Sequence, residues 1–182
     1  LDQTIGELLT IARARDWSHE IPDVVVDLGG LAAHTERLFR DEAANKNVAL
    51  EIEVEPGLPQ VDSGTELLQQ VMENLVSNAI KYTPAGGRVS VHFGRSDADA
   101  IEIRVRDTGI GIPESEQDKL FQEFFRASNA KRHTTTGTGL GLALVKQSVE
   151  RHKGEVRVDS TEGEGTEVLI RLPIHQATSA LS

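Results

Sequence analysis

The stretch from Ser63 to Thr83 places two chemistries on one helix, and any fold of this chain has to satisfy both. Ser63-Gly64-Thr65-Glu66 is a capping-box signature, with Ser63 at the N-cap and Glu66 three positions on. The helix is expected to run from Thr65 to Tyr82 and to stop before Thr83-Pro84, because the residue before a proline is driven out of the helical region. Leu68, Val71, Met72, Leu75 and Ala79 recur at helical spacing and form an apolar stripe. Asn74, Asn78 and Lys81 fall at i, i+4 and i+7 and share another face. Asparagine is a poor helix former that wants hydrogen-bond partners. That second face is therefore either a solvated surface or a polar site. An asparagine oxygen can ligate Mg²⁺ without adding negative charge beside a triphosphate, and Lys81 can neutralise a phosphate.

Two glycine-bearing segments have the same ambiguity. Asp107-Thr108-Gly109-Ile110-Gly111-Ile112-Pro113 follows a strand pattern. It reads as a simple turn, or as a site in which two glycines let the backbone approach a ligand and a buried Asp107 accepts from the amino group of adenine. Guanine presents a carbonyl at that position, and two facing acceptors would cost about 1–3 kcal/mol. Gly137-Thr138-Gly139-Leu140-Gly141-Leu142 runs straight into an apolar helix, expected over Gly139 to His152. A flexible linker rarely does so, whereas helix-initial amides preceded by glycines form an anion site.

The rest of the chain supplies alternating elements. Val24–Val26 is a short strand candidate, Leu28 to Ala44 a helix, and Val48 to Val54 a strand with Val48, Leu50, Ile52 and Val54 on its buried face. Arg88 to Phe93 and Ile101 to Val105 form an antiparallel pair. Arg126 to Thr138 is expected to be a loop. Glu155 to Val158 and Glu167 to Leu172 close the sheet around Thr161–Gly165. Leu1, Ile5, Leu8 and Ala12 have the spacing of a bundle seam, or of an amphipathic helix packed on its own domain. The mixture with hairpins predicts an α+β two-layer sandwich: a mixed, mostly antiparallel sheet with helices on one face, preceded by one helix of a dimerisation bundle. The expected division is 1–20 for the end of that bundle, 21–176 for the main domain and 177–182 for a tail.

Several classes are excluded. A net charge of −10 argues against a nucleic-acid partner. The chain has no cysteine, which removes disulfides and thiolate metal sites and fits a reducing cytoplasm. No apolar run approaches the roughly 20 residues of a membrane span, and no signal peptide opens the chain. The absence of an initiator Met suggests a fragment. There is no Gly-x-Gly-x-x-Gly, P-loop, protein-kinase signature or His-Glu-x-x-His.

Taken together and in this order, the motifs resemble the ATP-binding domain of bacterial sensor histidine kinases. Asn74 to Tyr82 resembles the N box, Asp107 to Gly111 the G1 box, Phe121 to Arg126 the F box, Gly137 to Gly141 the G2 box, and Gly163 to Thr166 the final glycine turn. The resemblance implies Asn78 as a Mg²⁺ ligand with Asn74 close by, Lys81 at a phosphate, and Tyr82 against the nucleotide. It implies Asp107 at the adenine amino group, with Gly109, Gly111, Ile112 and Thr166 lining that end. Gly137, Thr138, Gly139, Gly141 and the amides of Leu140 and Leu142 would hold phosphates, with Arg126 and Lys131 as further phosphate contacts. Phe121 and Phe124 would anchor a lid, or simply pack in the core. The implied cofactors are ATP and Mg²⁺. The implied partners are the protein's own phosphoacceptor His domain, a response regulator receiver domain and a second copy in a full-length homodimer. The domain would be cytoplasmic, without nucleic-acid or membrane contact of its own, in a parent that can be membrane-anchored.

The chain departs from that pattern in two places. Gly64 stands where the family often has Asp, leaving Ser63 to cap. The phosphoacceptor box is absent, since Pro22 follows His19 too closely and the site lies too near the N box. Related ATPases of the gyrase, mismatch-repair and chaperone type carry a water-activating Glu four residues before the Mg²⁺ Asn. Here that position is Asn74, whose neutral amide cannot act as a base, and Glu73 is expected to point about 100° away. The expectation is phosphoryl transfer to an external His. A hydrolytic ATPase, a Ser-directed kinase relative and a non-catalytic binding module are the alternatives.

Overall fold

A computed structural model describes residues 25–62, 64–135 and 137–174. The expected bundle helix, the tail and the proposed cap residue Ser63 lie outside the described residues. The elements are β1 (Val25–Val26), α1 (Leu28–Asn45), β2 (Ala49–Val54), β3 (Val61–Asp62), α2 (Thr65–Tyr82), β4 (Arg88–Asp97) and β5 (Ala100–Asp107). A 3-10 helix (Glu114–Lys119), α3 (Ser128–His133), α4 (Gly141–Arg151), β6 (Glu155–Thr161) and β7 (Gly165–Pro173) follow.

The main sheet has the order β2-β4-β5-β7-β6, with β2 and β4 parallel and every other pair antiparallel. Parallel neighbours cannot be joined by a hairpin, and α2 supplies the crossover. The α+β sandwich with a mostly antiparallel sheet is therefore the observed fold. β1 and β3 form a separate antiparallel pair beside it.

α2 is the hub of the core. Beyond the expected stripe, Leu67, Val76 and Ile80 are also buried, because the helix packs on the sheet and against both α1 and α4. Only a narrow face is left for polar residues. The N-cap is Gly64, with no side-chain cap bond, which replaces the expected capping box. At the other end Thr83 stops the helix as expected and is fully buried, its Oγ1 donating to Ala79 O at 2.7 Å. Two further end carbonyls are satisfied from α1's C-cap residue: Lys46 Nζ donates to Ile80 O at 2.7 Å and to Lys81 O at 2.5 Å. Burial lowers the Lys46 pKa.

Three expectations need correction. Val54 is 37% exposed, because β2 is an edge strand whose last residue overruns the core. The segment expected to be a loop contains α3, a single short helix whose Ser128 N–H and Oγ donate to Glu116 Oε2 at 2.8 and 3.1 Å. α4 begins at Gly141 rather than Gly139, since Gly139 has φ +78°.

Replacing Lys46 by Met is expected to lower stability by about 1–3 kcal/mol, because the terminal carbonyls of α2 lose their donor. Urea denaturation of the variant checks this.

Candidate functional site

The polar face of α2 opens onto a cavity of about 950 Å³. Its opposite wall is the start of α4 and the segment before it. The sheet end at Asp107 and Thr166 closes one side, and α3 with its flanks forms a cover. Asn74, Asn78, Lys81, Tyr82, Asp107, Gly111, Ile112, Arg126, Gly137, Thr138, Gly139, Gly141, Leu142 and Thr166 all line it. Gly109 and Leu140 are buried outside the lining, and Lys131 is exposed outside it. Lys131 acts electrostatically on Glu116, whose carboxyl is lowered chiefly by the Ser128 backbone bond.

The sheet register builds the end containing Asp107. Asp107 is the last residue of β5 and pairs with Thr166 on β7. Its Oδ1 accepts from Gly109 N at 2.8 Å and from Thr166 N at 3.3 Å. Burial nevertheless dominates and raises the carboxyl from its ordinary 3.8 to about 6, against the lowering effect of those two bonds. The loop beyond is fixed by Ile110 N to Tyr82 O at 3.1 Å and Gly163 N to Ile110 O at 2.8 Å. The protein's own packing requires glycine at positions 109 and 111. A Cβ on Gly109 would meet Tyr82 O at 2.6 Å, and one on Gly111 would meet Thr161 O at 1.9 Å.

The opposite end is built for an anion. α4 opens without a side-chain cap, so its first-turn N–H groups have no side chain to meet them. A Cβ on Gly141 would stand 2.9 Å from Asn74 Oδ1, and one on Gly137 would stand 2.7 Å from Lys81 Nζ. These two glycines keep open the space between the helix amides and the polar face of α2. Asn74 Nδ2 donates to Gln70 O at 2.9 Å, leaving Oδ1 towards Gly141. Arg126 Nη2 donates to Thr134 O at 2.6 Å, while its Nε is buried without a partner. A space bounded by Lys81, an unpaired buried guanidinium N–H and two side-chain amides fits a triphosphate with a divalent cation.

The sequence reading missed several wall residues. Lys46 and Asn129 line the cavity, as do Phe125 and His133, the last with its ring 6.1 Å from that of Tyr82. Glu73, expected to turn away, is exposed but also lines the cavity, because the wall wraps around α2 as far as Gln70. Phe124 is not a buried anchor: it is 61% exposed with φ +65°. Phe121 is half-buried, with Lys146 Nζ 5.6 Å from its ring centre. No periodicity marks Lys46 or Asn129, since each acts from a loop or a one-turn helix.

Residues 64–176 match the family described as histidine kinase-, DNA gyrase B- and HSP90-like ATPase, and the chain belongs to that family. It is 32% identical over 170 residues to the sensor protein kinase WalK of Staphylococcus saprophyticus, covering 93% of this chain and 28% of the relative. It is 34% identical, with a TM-score of 0.73, to the mycobacterial sensor histidine kinase MprB structure, covering 82% of this chain and 97% of that one. Full-length ShkA in complex with AMPPNP is 28% identical, with a TM-score of 0.82, over 97% of this chain and 36% of ShkA. The chain spans less than half the length of the curated relatives it matches, from 21% to 45% of the first two. Within the family it has the fold of a histidine kinase catalytic domain. Among the described residues no helix is long and apolar enough to cross a membrane.

The raised Asp107 pKa fixes the sign of a pH effect. The folded chain keeps a proton that the unfolded chain releases first, so this group's contribution is most favourable below pH 3.8 and erodes as the pH rises to about 6. Asp107→Asn does not titrate and preserves an acceptor for Gly109 and Thr166. Its stability relative to the wild type is expected to rise across that window by on the order of 3 kcal/mol. Urea unfolding at stepped pH reads this out, and a flat difference would contradict it.

Proposed function

We propose that this chain is the Mg²⁺-ATP-binding catalytic domain of a sensor histidine kinase, donating the γ-phosphoryl group to a histidine on its own dimerisation bundle for relay to a response regulator. The observation that carries the reading is the single cavity joining a desolvated carboxylate at one end to a cradle of amides and cations at the other. At neutral pH Asp107 is ionised, a pure acceptor that favours the amino group of adenine over the carbonyl of guanine. Tyr82 lies against the nucleotide. Lys81, Arg126 and the first-turn amides of α4 bind the phosphates, with Thr138 beside them. Asn78 is the Mg²⁺ ligand and Asn74 stands near it; when bound, the metal neutralises charge on the phosphate oxygens.

The kinase reading is favoured over hydrolysis because Asn74 occupies the position four residues before Asn78, and its Nδ2 is committed to Gln70 O. An amide there cannot take a proton from water. Bound ATP therefore waits until an imidazole nitrogen forms the N–P bond as the bond from the γ-phosphorus to the β–γ bridging oxygen breaks, releasing ADP. Relatives carrying sensor kinase names, and the binding of the ATP analogue AMPPNP by ShkA, support the reading. In the full protein we infer a homodimer whose catalytic domain faces the cytoplasm, where ATP and receiver domains reside. Exposed Glu73 at the cavity wall is the one observation that favours hydrolysis as a second reading.

Phosphate release from saturating Mg²⁺-ATP, measured after binding is demonstrated, separates the two. Negligible release, with transfer to a His-bearing bundle supplied in trans, is expected. Sustained turnover lost in Glu73→Gln would move the chain to the ATPases. Asp107→Asn is expected to weaken ATP binding about tenfold, since donor would then face donor at a cost of about 1–3 kcal/mol. Unchanged affinity in calorimetry would remove the adenine assignment.

A further inference from the structure

Among the described residues, two buried side-chain polar atoms lack a hydrogen-bond partner: Arg126 Nε and Asn129 Oδ1. Both residues line the same cavity. The two atoms have opposite polarity. The first is a cationic donor, suited to phosphate. The second is a neutral acceptor, and a phosphate would only repel it, so it asks for a ligand donor.

The position of Asn129 indicates which donor. The residue is 9% exposed and sits on α3. Its Nδ2 donates to Gly111 O at 2.8 Å and, more weakly, to Ile110 O at 3.4 Å. Those carbonyls belong to the loop that begins with Asp107. The same loop is tied to Tyr82 O and to Gly163 N, so it is rigidly placed, and Asn129 is fastened to its base-facing end. An exocyclic amino group on a purine carries two hydrogens. Asp107 Oδ1 already accepts two backbone N–H bonds, so the carboxylate has its other oxygen for one of them. The second hydrogen needs another acceptor.

We propose that Asn129 is a specificity-determining residue for the base: Nδ2 holds Ile110 and Gly111 in place, and Oδ1 accepts a hydrogen bond from the amino group of the bound purine. The inference rests on the reading of the cavity as an ATP site. It also explains why the cover helix carries an amide here. A residue needed only to tie α3 down would not have to leave a buried acceptor unsatisfied, and Glu116 already ties the same helix through Ser128.

The test is a cycle of protein and ligand deletions, with dissociation constants measured by calorimetry for ATP and for purine riboside 5′-triphosphate, which has hydrogen in place of the amino group. The proteins are the wild type, Asn129→Ala and Glu116→Gln. Asn129→Ala, which loses the tie to Ile110 and Gly111 as well as the acceptor, is expected to weaken both ligands, and ATP about tenfold more than the deamino ligand. Glu116→Gln, which loosens the same helix without touching the base, is expected to shift both ligands equally. Equal weakening of both ligands in Asn129→Ala would reduce Asn129 to a structural tie and overturn the proposal, as would no weakening of either. If Asn129→Ala fails to fold, Asn129→Asp, of the same size, keeps an acceptor and loses the donor; it is expected to weaken both ligands while retaining the preference for the amino group, and loss of that preference overturns the proposal. A wild type that binds neither ligand would instead defeat the ATP reading itself.

Discussion

The burial of α2 is the constraint on which the rest of the structure depends. Eight of its residues are buried, from Leu67 to Ile80, and they pack on a sheet, on α1 and on α4. A helix clasped on three sides has little freedom to rotate, and its remaining face is aimed by packing rather than by polar contacts. Asn74, Asn78 and Lys81 therefore project in fixed directions whether or not a ligand is present. The polar residues contribute little to holding the helix, and the core orients them.

A second consequence of that packing is electrostatic. The cavity is polar at both ends, but with opposite demands. At the sheet end, desolvation outweighs two backbone hydrogen bonds and leaves Asp107 harder to ionise than an ordinary carboxylate. At the α4 end, uncapped amides and an unpaired guanidinium N–H leave positive potential unspent. A ligand that is a neutral hydrogen-bond donor at one end and a polyanion at the other matches both. The chain's overall charge of −10 does not interfere, because a few local donors decide the field inside a partly enclosed cavity.

Much of this was legible in the sequence, and the failures have a common physical cause. α2, the β4–β5 hairpin and the glycine segments announce themselves through periodicity and turn chemistry. The fold class followed, and most of the residues singled out for the site line the cavity. Residues acting through long-range contacts gave no local signal. Lys46 reaches carbonyls 34 and 35 positions away, and Asn129 holds carbonyls 18 and 19 positions back. α3 is too short for a hydrophobic period, and its start is secured by a glutamate twelve residues earlier. The close packing that requires glycine at positions 109 and 111 gave no local signal for the same reason, since Tyr82 and Thr161 come near only in three dimensions.

The placement of β7 between β5 and β6 has a consequence for the chain as it is being made. The hydrogen bond from Thr166 to Asp107 spans 59 positions, and Thr166 lies near the end of the described residues. Until that strand has left the ribosome, β5 lacks its neighbour and Asp107 lacks both a donor and the cover that desolvates it. Helix α2 and the hairpin can form early from local contacts, but the sheet end of the cavity cannot. A nascent or prematurely terminated chain would carry most of the recognisable motifs and yet have no completed nucleotide pocket. Competence to bind thus arrives late, with β7.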